Sequence, residues 1–205
     1  MLHRTAALPA TLELLKNIMA KPALSGFYLA GGTSLALQTG HRLSRDLDFF
    51  GKRPFEAQEI LDEMHGLGPV SLMSQSKNIL ILNVREVKVD FVNYRYPVIA
   101  PPVEEAGMRL LSTQDIGAMK LAAVAGRGRK RDFYDLYFLL QQYSLPELMR
   151  FYLQKFDDGS EFMVVRSLTY FEDASQDEEV TLLKGKVKWD AVKMAISREV
   201  KKHYR

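Results

Sequence analysis

The chain has 205 residues, carries a net charge of +3 and contains no cysteine. A hydrophobic fraction of 47% and a charged fraction of 26% are typical of a folded globular protein and exclude a disordered or fibrous chain. The lack of cysteine excludes disulfides and thiolate metal sites, and it agrees with a cytoplasmic location. The longest apolar runs, such as residues 79–82, are far shorter than the roughly 20 residues of a membrane helix, so no membrane segment is expected.

The first half of the sequence mixes helix and strand patterns. Apolar residues at helical spacing predict a helix over residues 9–20, which Pro22 terminates. A short apolar strand over residues 27–30 leads into two glycines, and helical patterns follow over residues 33–38 and 55–65. Further strands are predicted over residues 46–50, 70–73, 78–84 and 87–93.

From Pro101 onwards strand patterns mostly stop and helical patterns follow one another. The predicted helices cover residues 112–125, 131–142, 147–155, 162–171 and 189–202. A cluster of prolines marks the change between residues 97 and 112. The sequence therefore predicts the α+β class, with a small mixed sheet in an α/β core over residues 1–100 and a helical region over residues 101–205.

Two aspartates on a predicted strand form the most informative pattern. In Asp46-Leu47-Asp48 the acidic residues are two apart, so a strand places both on one face while Leu47 points to the other. Like charges side by side are unfavourable unless a cation lies between them, and carboxylate oxygens are the preferred ligands of Mg²⁺. Mn²⁺ is the alternative ion. An aspartate pair that merely flanks a turn is the alternative interpretation.

A third aspartate lies on the polar face of another predicted strand. Apolar residues at positions 87, 89 and 91 alternate there with Lys88 and Asp90. Cross-strand partners lie about 5 Å apart, so Asp90 can complete a three-carboxylate cluster with the first two aspartates. A surface aspartate without a ligand is the alternative interpretation.

The segment Gly31-Gly32-Thr33-Ser34 lies between a predicted strand and a predicted helix. Main-chain amides at a helix start attract anions, and glycine lets a phosphate approach the main chain closely. The hydroxyls of Thr33 and Ser34 add two donors. The segment predicts a phosphate-binding turn, with a tight strand-to-helix connection as the alternative.

Positive charge is concentrated in two segments of the second half. The first contains Lys120, Arg127, Arg129, Lys130 and Arg131. The second contains Lys184, Lys186, Lys188, Lys193, Arg198, Lys201, Lys202 and Arg205, and an acidic stretch over residues 172–179 precedes it. Such segments suit a phosphate-rich partner, and a solvated helix face is the alternative for the C-terminal one.

Several of these segments together resemble the AbiEii family. The resemblance is carried by residues 29–37 (LAGGTSLAL) and 41–50 (HRLSRDLDFF), and it continues in residues 120–123 (KLAA) and 131–136 (RDFYDL). The matches are spread over residues 28–140. Members of this family are nucleotidyltransferase-like toxins with a DNA polymerase β-type core.

The resemblance implies roles for residues in this sequence. Metal-binding roles fall to Asp46, Asp48 and Asp90. Nucleotide-binding roles fall to Gly31, Gly32, Thr33, Ser34, Arg42, Ser44 and Lys120. Catalytic roles fall to Asp46, Asp48, Asp90, Lys120, Asp132 and Asp135. For Arg42 and Ser44, holding the loop before the aspartates is the alternative.

The downstream motifs extend the implied site into the helical region. Lys120 borders the apolar stripe of its predicted helix and would reach the triphosphate, with snorkelling to solvent as the alternative. Asp132 and Asp135 are three apart and share a helix face. They would pair with Lys120, Arg42 or Arg131, or act as a base; a purely structural network is the alternative.

The resemblance implies a magnesium-dependent nucleotidyltransferase that moves a nucleotide from a nucleoside triphosphate to a macromolecular acceptor. The resemblance implies tRNA or another RNA as acceptor, which the basic segments would suit, and a protein side chain is the alternative acceptor. The resemblance also implies the toxin of an abortive-infection or toxin–antitoxin system, with a cognate antitoxin protein as partner. Two other functions stay open: a nucleotide- or RNA-binding module without transferase activity, and an antibiotic-type nucleotidyltransferase with a small-molecule acceptor.

Overall fold

The computed structural model describes residues 1–204 and divides into two compact units; Arg205 of the basic C-terminal segment lies outside the described residues. The first unit comprises Met1–Pro97 and Pro101–Leu111. The second comprises Val98–Ala100 and the chain from Ser112 onward. No helix within residues 1–204 is both long and apolar enough to cross a bilayer.

The first unit contains one mixed sheet of seven strands. They are β1 (Phe27–Leu29), β2 (Leu47–Gly51), β3 (Val70–Gln75), β4 (Ile79–Val84), β5 (Val87–Asn93), β6 (Val103–Glu105) and β7 (Met108–Leu110). Their order across the sheet is β3-β4-β5-β2-β1-β7-β6. Strand β2 runs parallel to β5 and β1 runs parallel to β7, whereas all other neighbours are antiparallel.

Two-residue turns close the hairpins β4–β5 and β6–β7. Arg85-Glu86 and Ala106-Gly107 both have positive φ at their two central residues, the backbone that matches the twist of a tight hairpin. The pairing of Val84 with Val87 brings β5 back along β4. This return places β5 next to β2, at the centre of the sheet.

Three helices accompany the sheet: α1 (Pro9–Met19), α2 (Gly31–Thr39) and α3 (Ala57–His65). Alternation along the central strands buries one face in a hydrophobic core with apolar residues of these helices. Phe49 of β2 and Phe91 of β5 stack there with ring centroids 5.2 Å apart. The opposite face of β2 and β5 is only half-buried and carries the polar residues.

The second unit is helical. Its helices are α4 (Thr113–Gly126), α5 (Lys130–Leu139), α6 (Leu145–Lys155), α7 (Glu161–Ser167), α8 (Glu172–Ser175) and α9 (Trp189–Tyr204). The ammonium of Lys155 donates to the Asp115 carboxylate at 2.7 Å, and both side chains are fully buried. The same carboxylate accepts the main-chain N–H groups of Ile99 and Ala100, at 3.1 and 3.2 Å. These bonds hold residues 98–100 in the second unit.

The α+β class predicted from the sequence is confirmed, but strands β6 and β7 were not predicted. The sheet continues through Leu110, and the first unit ends at Leu111 rather than at residue 100. The reason is that Leu110 pairs with Leu29 and adds the β6–β7 hairpin to the sheet edge. The helix predicted over residues 162–171 ends at Ser167, and the short α8 forms within the acidic stretch.

Candidate active site

Two aspartates occupy paired positions on the central strands. Asp48 of β2 and Asp90 of β5 are partners in the parallel register, next to the pair formed by Phe49 and Phe91. Adjacent strands are about 4.8 Å apart, so both side chains rise from one face at neighbouring points. Asp48 and Asp90 are half-buried, whereas Phe49 and Phe91 are fully buried on the opposite face. The alternation in the sequence predicts this common face.

The start of α2 lies against Asp48. Gly31 has φ +62°, and a side chain at this position would collide with the Asp48 carboxylate, whose Cγ lies 2.9 Å from the Cβ position. The main chain is also joined there, because the Ala30 N–H donates to the Asp48 carbonyl at 2.7 Å. Glycine at position 31 therefore lets the aspartate lie against the first residue of α2, at a helix N-terminus of the kind that attracts anions.

Arg42 lies beside the second glycine. Its guanidinium occupies the space that a side chain at Gly32 would take, with Cζ 3.3 Å from the Cβ position. Arg42 is buried, and its Nη1 donates to the Leu43 carbonyl at 3.1 Å. The structure thus places a fixed positive charge at the predicted phosphate-binding turn.

The hydroxyl groups of Thr33 and Ser34 in the turn form hydrogen bonds with other residues of the protein. Thr33 Oγ1 donates to the main-chain carbonyl of Asp46 and lies 2.8 Å from Ser44 Oγ. Ser34 Oγ accepts a hydrogen bond from the Gln38 side chain at 3.2 Å. Thr33 and Ser34 are both buried. Both hydroxyls therefore hold the turn and the aspartate segment in this structure, and a phosphate contact through Thr33 and Ser34 stays a prediction.

Lys88 binds the second aspartate. Its ammonium lies 2.7 Å from Oδ1 and 2.6 Å from Oδ2 of Asp90, two residues along the same face of β5. The side chain of Lys88 is 37% exposed and that of Asp90 is 16% exposed. A positive charge therefore already neutralises this carboxylate. The alternation in the sequence puts both residues on one face, but their ion pair was not predicted.

The aspartates fit a divalent cation in ligand type. Asp48 and Asp90 supply hard carboxylate oxygens from adjacent strands, the ligands that Mg²⁺ takes together with water and phosphate. Asp46 lies just before β2, because the strand begins at Leu47. Within residues 1–204 no three acidic or histidine side chains are gathered closely enough to form a metal site alone. The predicted three-carboxylate cluster is therefore not gathered among the described residues: Asp48 and Asp90 are paired, Asp46 lies just before β2, and metal binding by the three stays a prediction.

Three of the predicted site residues form a cluster within the second unit. Lys120 donates to Asp132 at 2.7 Å and lies 2.6 Å from Asp135, and all three are buried. Arg127 adds a contact to Asp132 at 3.1 Å. Burial raises the pKa of the Asp132 carboxyl, but attraction by Lys120 and Arg127 outweighs burial, and the net pKa is lowered. The predicted pairing with Lys120 is present; contact with a triphosphate stays a prediction.

The basic segment around residue 130 is partly neutralised within the same unit. The buried ammonium of Lys130 binds the Asp177 carbonyl at 2.6 Å and Glu179 at 3.0 Å. Arg129 pairs with the Asp177 carboxylate at 2.7 Å. The acidic stretch therefore binds part of the basic segment for which the sequence predicts a phosphate-rich partner.

Comparison with known proteins identifies the family. The family model described as "Nucleotidyl transferase AbiEii toxin, Type IV TA system" matches residues 13–203. The chain belongs to the AbiEii family. An uncharacterized protein of Aquifex aeolicus (strain VF5) is 35% identical to this AbiEii protein over 199 residues, which cover 93% of this chain and 94% of the relative. The resemblance seen in the sequence motifs is confirmed.

Two crystal structures from Helicobacter pylori share the AbiEii chain's fold. One is a candidate nucleotidyltransferase with a TM-score of 0.58 and 18% identity, over 95% of this chain and 94% of that chain. The other is JHP933, with a TM-score of 0.58 and 17% identity, over 98% of this chain and 92% of that chain. These similarities show a nucleotidyltransferase fold.

Proposed function

We propose that this AbiEii protein is a magnesium-dependent nucleotidyltransferase that moves a nucleotide from a nucleoside triphosphate to a macromolecular acceptor. The observation that carries the proposal is the paired position of Asp48 and Asp90 beside the glycine turn at Gly31. Membership of the AbiEii family supports the same class of reaction.

The glycine turn binds the triphosphate in this proposal. The first amides of α2 carry the positive end of the helix dipole and have no partner inside the helix. Gly31 has no side chain of its own, so the Asp48 carboxylate can lie against this turn, and the Arg42 guanidinium adds a charge-assisted donor near Gly32. Thr33 keeps the aspartate segment next to the turn through its bond to Asp46.

The aspartates serve the transfer step. Asp46, Asp48 and Asp90 would hold Mg²⁺, or Mn²⁺ as the alternative, and the ion would neutralise phosphate charge. The acceptor hydroxyl oxygen forms a bond to the α-phosphorus while the bond to the bridging oxygen of the β-phosphate breaks, and pyrophosphate leaves. Asp90 takes the proton of the attacking hydroxyl, so Lys88 releases this carboxylate when substrate and ion bind.

RNA, with tRNA as the leading candidate, is the proposed acceptor. Lys201 and Lys202 on α9 are exposed, and the protein carries a net charge of +3. Basic side chains on a helix surface attract the phosphate backbone without regard to sequence. Family membership further supports a role as a toxin, with a cognate antitoxin protein as partner. A cytoplasmic location is part of the proposal.

Incorporation of labelled nucleotides tests this function. The protein is incubated with Mg²⁺ and each α-labelled triphosphate in turn, together with tRNA, total RNA, total protein or an aminoglycoside. We expect label in RNA, and we expect Asp48→Asn to lower the rate by about 100-fold or more because phosphate charge is no longer neutralised. Asp157→Asn, at an exposed position of the second unit, is the matched control.

The other outcomes identify the rival functions. Tight triphosphate binding without pyrophosphate release would indicate a binding module, and label in the aminoglycoside would indicate a small-molecule transferase. Equal labelling by the wild-type protein and Asp48→Asn would refute the catalytic assignment.

A further inference from the structure

Aromatic side chains continue the sheet face that carries Asp48. Phe50 follows Asp48 by two residues on β2 and therefore lies on the same face. The ring centroid of Phe50 is 4.6 Å from that of Tyr94, and the centroids of Tyr94 and Tyr96 are 5.2 Å apart. We call Phe50, Tyr94 and Tyr96 the aromatic platform.

The platform is attached to the central strands. Tyr94 directly follows β5, and its main-chain N–H donates to the Gly51 carbonyl at 2.7 Å. Phe50 pairs with Val92 on one side and with Tyr28 of β1 on the other. Regular sheet pairing thus fixes the position of Phe50 relative to the Asp48–Asp90 pair, because Phe50 and Val92 lie two residues further along the same two strands.

The rings of the platform are not part of the hydrophobic core. Phe49 and Phe91 on the opposite face are fully buried, whereas Phe50 and Tyr94 are half-buried and Tyr96 is 37% exposed. Partly exposed aromatic rings on a sheet are a common surface for stacking nucleobases, because every base offers a flat π face.

The direction of the strands gives the platform a defined place in the transfer reaction. Strands β1 and β2 are antiparallel with Leu29 opposite Phe49, so Gly31 and Phe50 lie on opposite sides of Asp48 along the strand direction. In an in-line transfer the attacking and leaving oxygens lie on opposite sides of the α-phosphorus. With pyrophosphate over the Gly31 turn, the acceptor approaches from the side of Phe50, about 7 Å from Asp48 along the strand.

We propose that the aromatic platform stacks a nucleobase of the substrate, either that of the nucleoside triphosphate or that of the terminal nucleotide of an RNA acceptor. This inference rests on the proposed nucleotidyl transfer. The platform would add a base-binding subsite to the proposed site, in which the other residues have roles only toward phosphate, proton or metal.

Equilibrium binding of three probes tests the platform. The probes are a non-hydrolysable α,β-methylene nucleoside triphosphate, a short single-stranded RNA, and inorganic tripolyphosphate, which has no base. The variants Phe50→Leu and Tyr96→Leu keep an apolar side chain but remove the π face. Each is expected to weaken binding of one base-containing probe by about 10-fold, the loss typical of one stacked base. Binding of tripolyphosphate is expected to stay within about 2-fold of wild type, since the glycine turn is untouched.

The conservative variant Tyr96→Phe and the distant variant Tyr170→Leu, at an exposed tyrosine of the second unit, are expected to bind all probes like wild type. Loss of triphosphate binding alone assigns the platform to the nucleoside, and loss of RNA binding alone assigns it to the acceptor. Unchanged binding of both base-containing probes overturns the platform while leaving the proposed function intact. Failure of the wild-type protein to bind triphosphate or tripolyphosphate refutes the proposed function itself.

Discussion

The Asp48 carboxylate lies in the space that a side chain at Gly31 would occupy. The aspartate and the start of α2 can approach each other only because position 31 has no Cβ, and the φ of +62° at this residue is also one that glycine adopts readily. Gly31 thereby lets the Asp48 carboxylate lie against the first residue of α2.

Replacing Gly31 by alanine is expected to lower activity strongly at a moderate cost in stability. The new Cβ forces the Asp48 carboxylate away from its position, and a displacement of about 1 Å at a reacting centre costs about 100-fold in rate. A non-glycine residue at positive φ costs about 1–2 kcal/mol, measurable by urea denaturation. Gly107→Ala is the matched control, because Gly107 has φ +77° but open space around it. Equal loss of activity in both variants would show that strain alone is responsible.

Replacing Thr33 by valine is expected to loosen the aspartate segment. Valine has nearly the same shape but leaves the Asp46 carbonyl and Ser44 without the threonine hydroxyl. An unsatisfied buried polar group costs about 1–3 kcal/mol, and the transfer rate should fall with it. Thr169→Val removes an exposed hydroxyl bonded to Arg166 and is expected to change stability by no more than about 0.5 kcal/mol. Wild-type activity in Thr33→Val would mean that this bond does not position Asp46.

Replacing Lys88 by methionine is expected to tighten binding of Mn²⁺. The ammonium of Lys88 competes with a metal ion for both oxygens of Asp90, and the pair is partly exposed. Such pairs contribute up to about 1 kcal/mol, so the affinity measured by calorimetry should rise by up to about 5-fold. Lys77→Met, at an exposed lysine of the β3–β4 turn, is the control. Weaker Mn²⁺ binding in Lys88→Met would mean that the lysine orients Asp90 for the ion.

The buried cluster of the second unit is expected to make stability depend on pH. The folded-state pKa of Asp132 is lowered, so its stabilising contribution is complete above the ordinary aspartate pKa of about 3.9 and is lost as pH falls through the lower folded value. Urea denaturation between pH 7 and pH 3 should therefore show a smaller pH dependence for Asp132→Asn than for wild type. Asp157→Asn should keep the wild-type dependence. An identical curve for Asp132→Asn would contradict the lowered pKa.

The sequence predicts on which face of a central strand a residue lies better than it predicts which strands are paired in the sheet. Alternation places Asp48 on the polar face of one strand and Lys88 with Asp90 on the polar face of another. The pairing of β2 with β5 depends on contacts between segments about forty residues apart, and no local pattern specifies it. The register of Asp48 with Asp90 therefore required the structure.

The parts of the fold that were missed have weak local signals. Strands β6 and β7 have three residues each, too few for alternation to be distinguished from a loop, and prolines precede them. Local patterns do not predict the aromatic platform for another reason: Phe50 follows Asp48 by two residues on β2, but Tyr94 and Tyr96 lie beyond the end of β5. Only the return of the chain beside Gly51 brings their rings to Phe50.

The central claim is that Asp48 and Asp90 act together in nucleotidyl transfer, and pyrophosphate release by four proteins tests it most directly. The four are wild type, Asp48→Asn, Asp90→Asn and the double variant, each with Mg²⁺, triphosphate and RNA. The rate losses caused by residues that act as one unit are not additive. Each single variant should therefore release pyrophosphate about 100-fold or more slowly than wild type, and the double variant should be no slower than the slower single variant. A double variant whose rate loss equals the product of the two single losses would contradict joint action. Pyrophosphate release by Asp48→Asn at the wild-type rate would contradict the assignment of Asp48 to the active site.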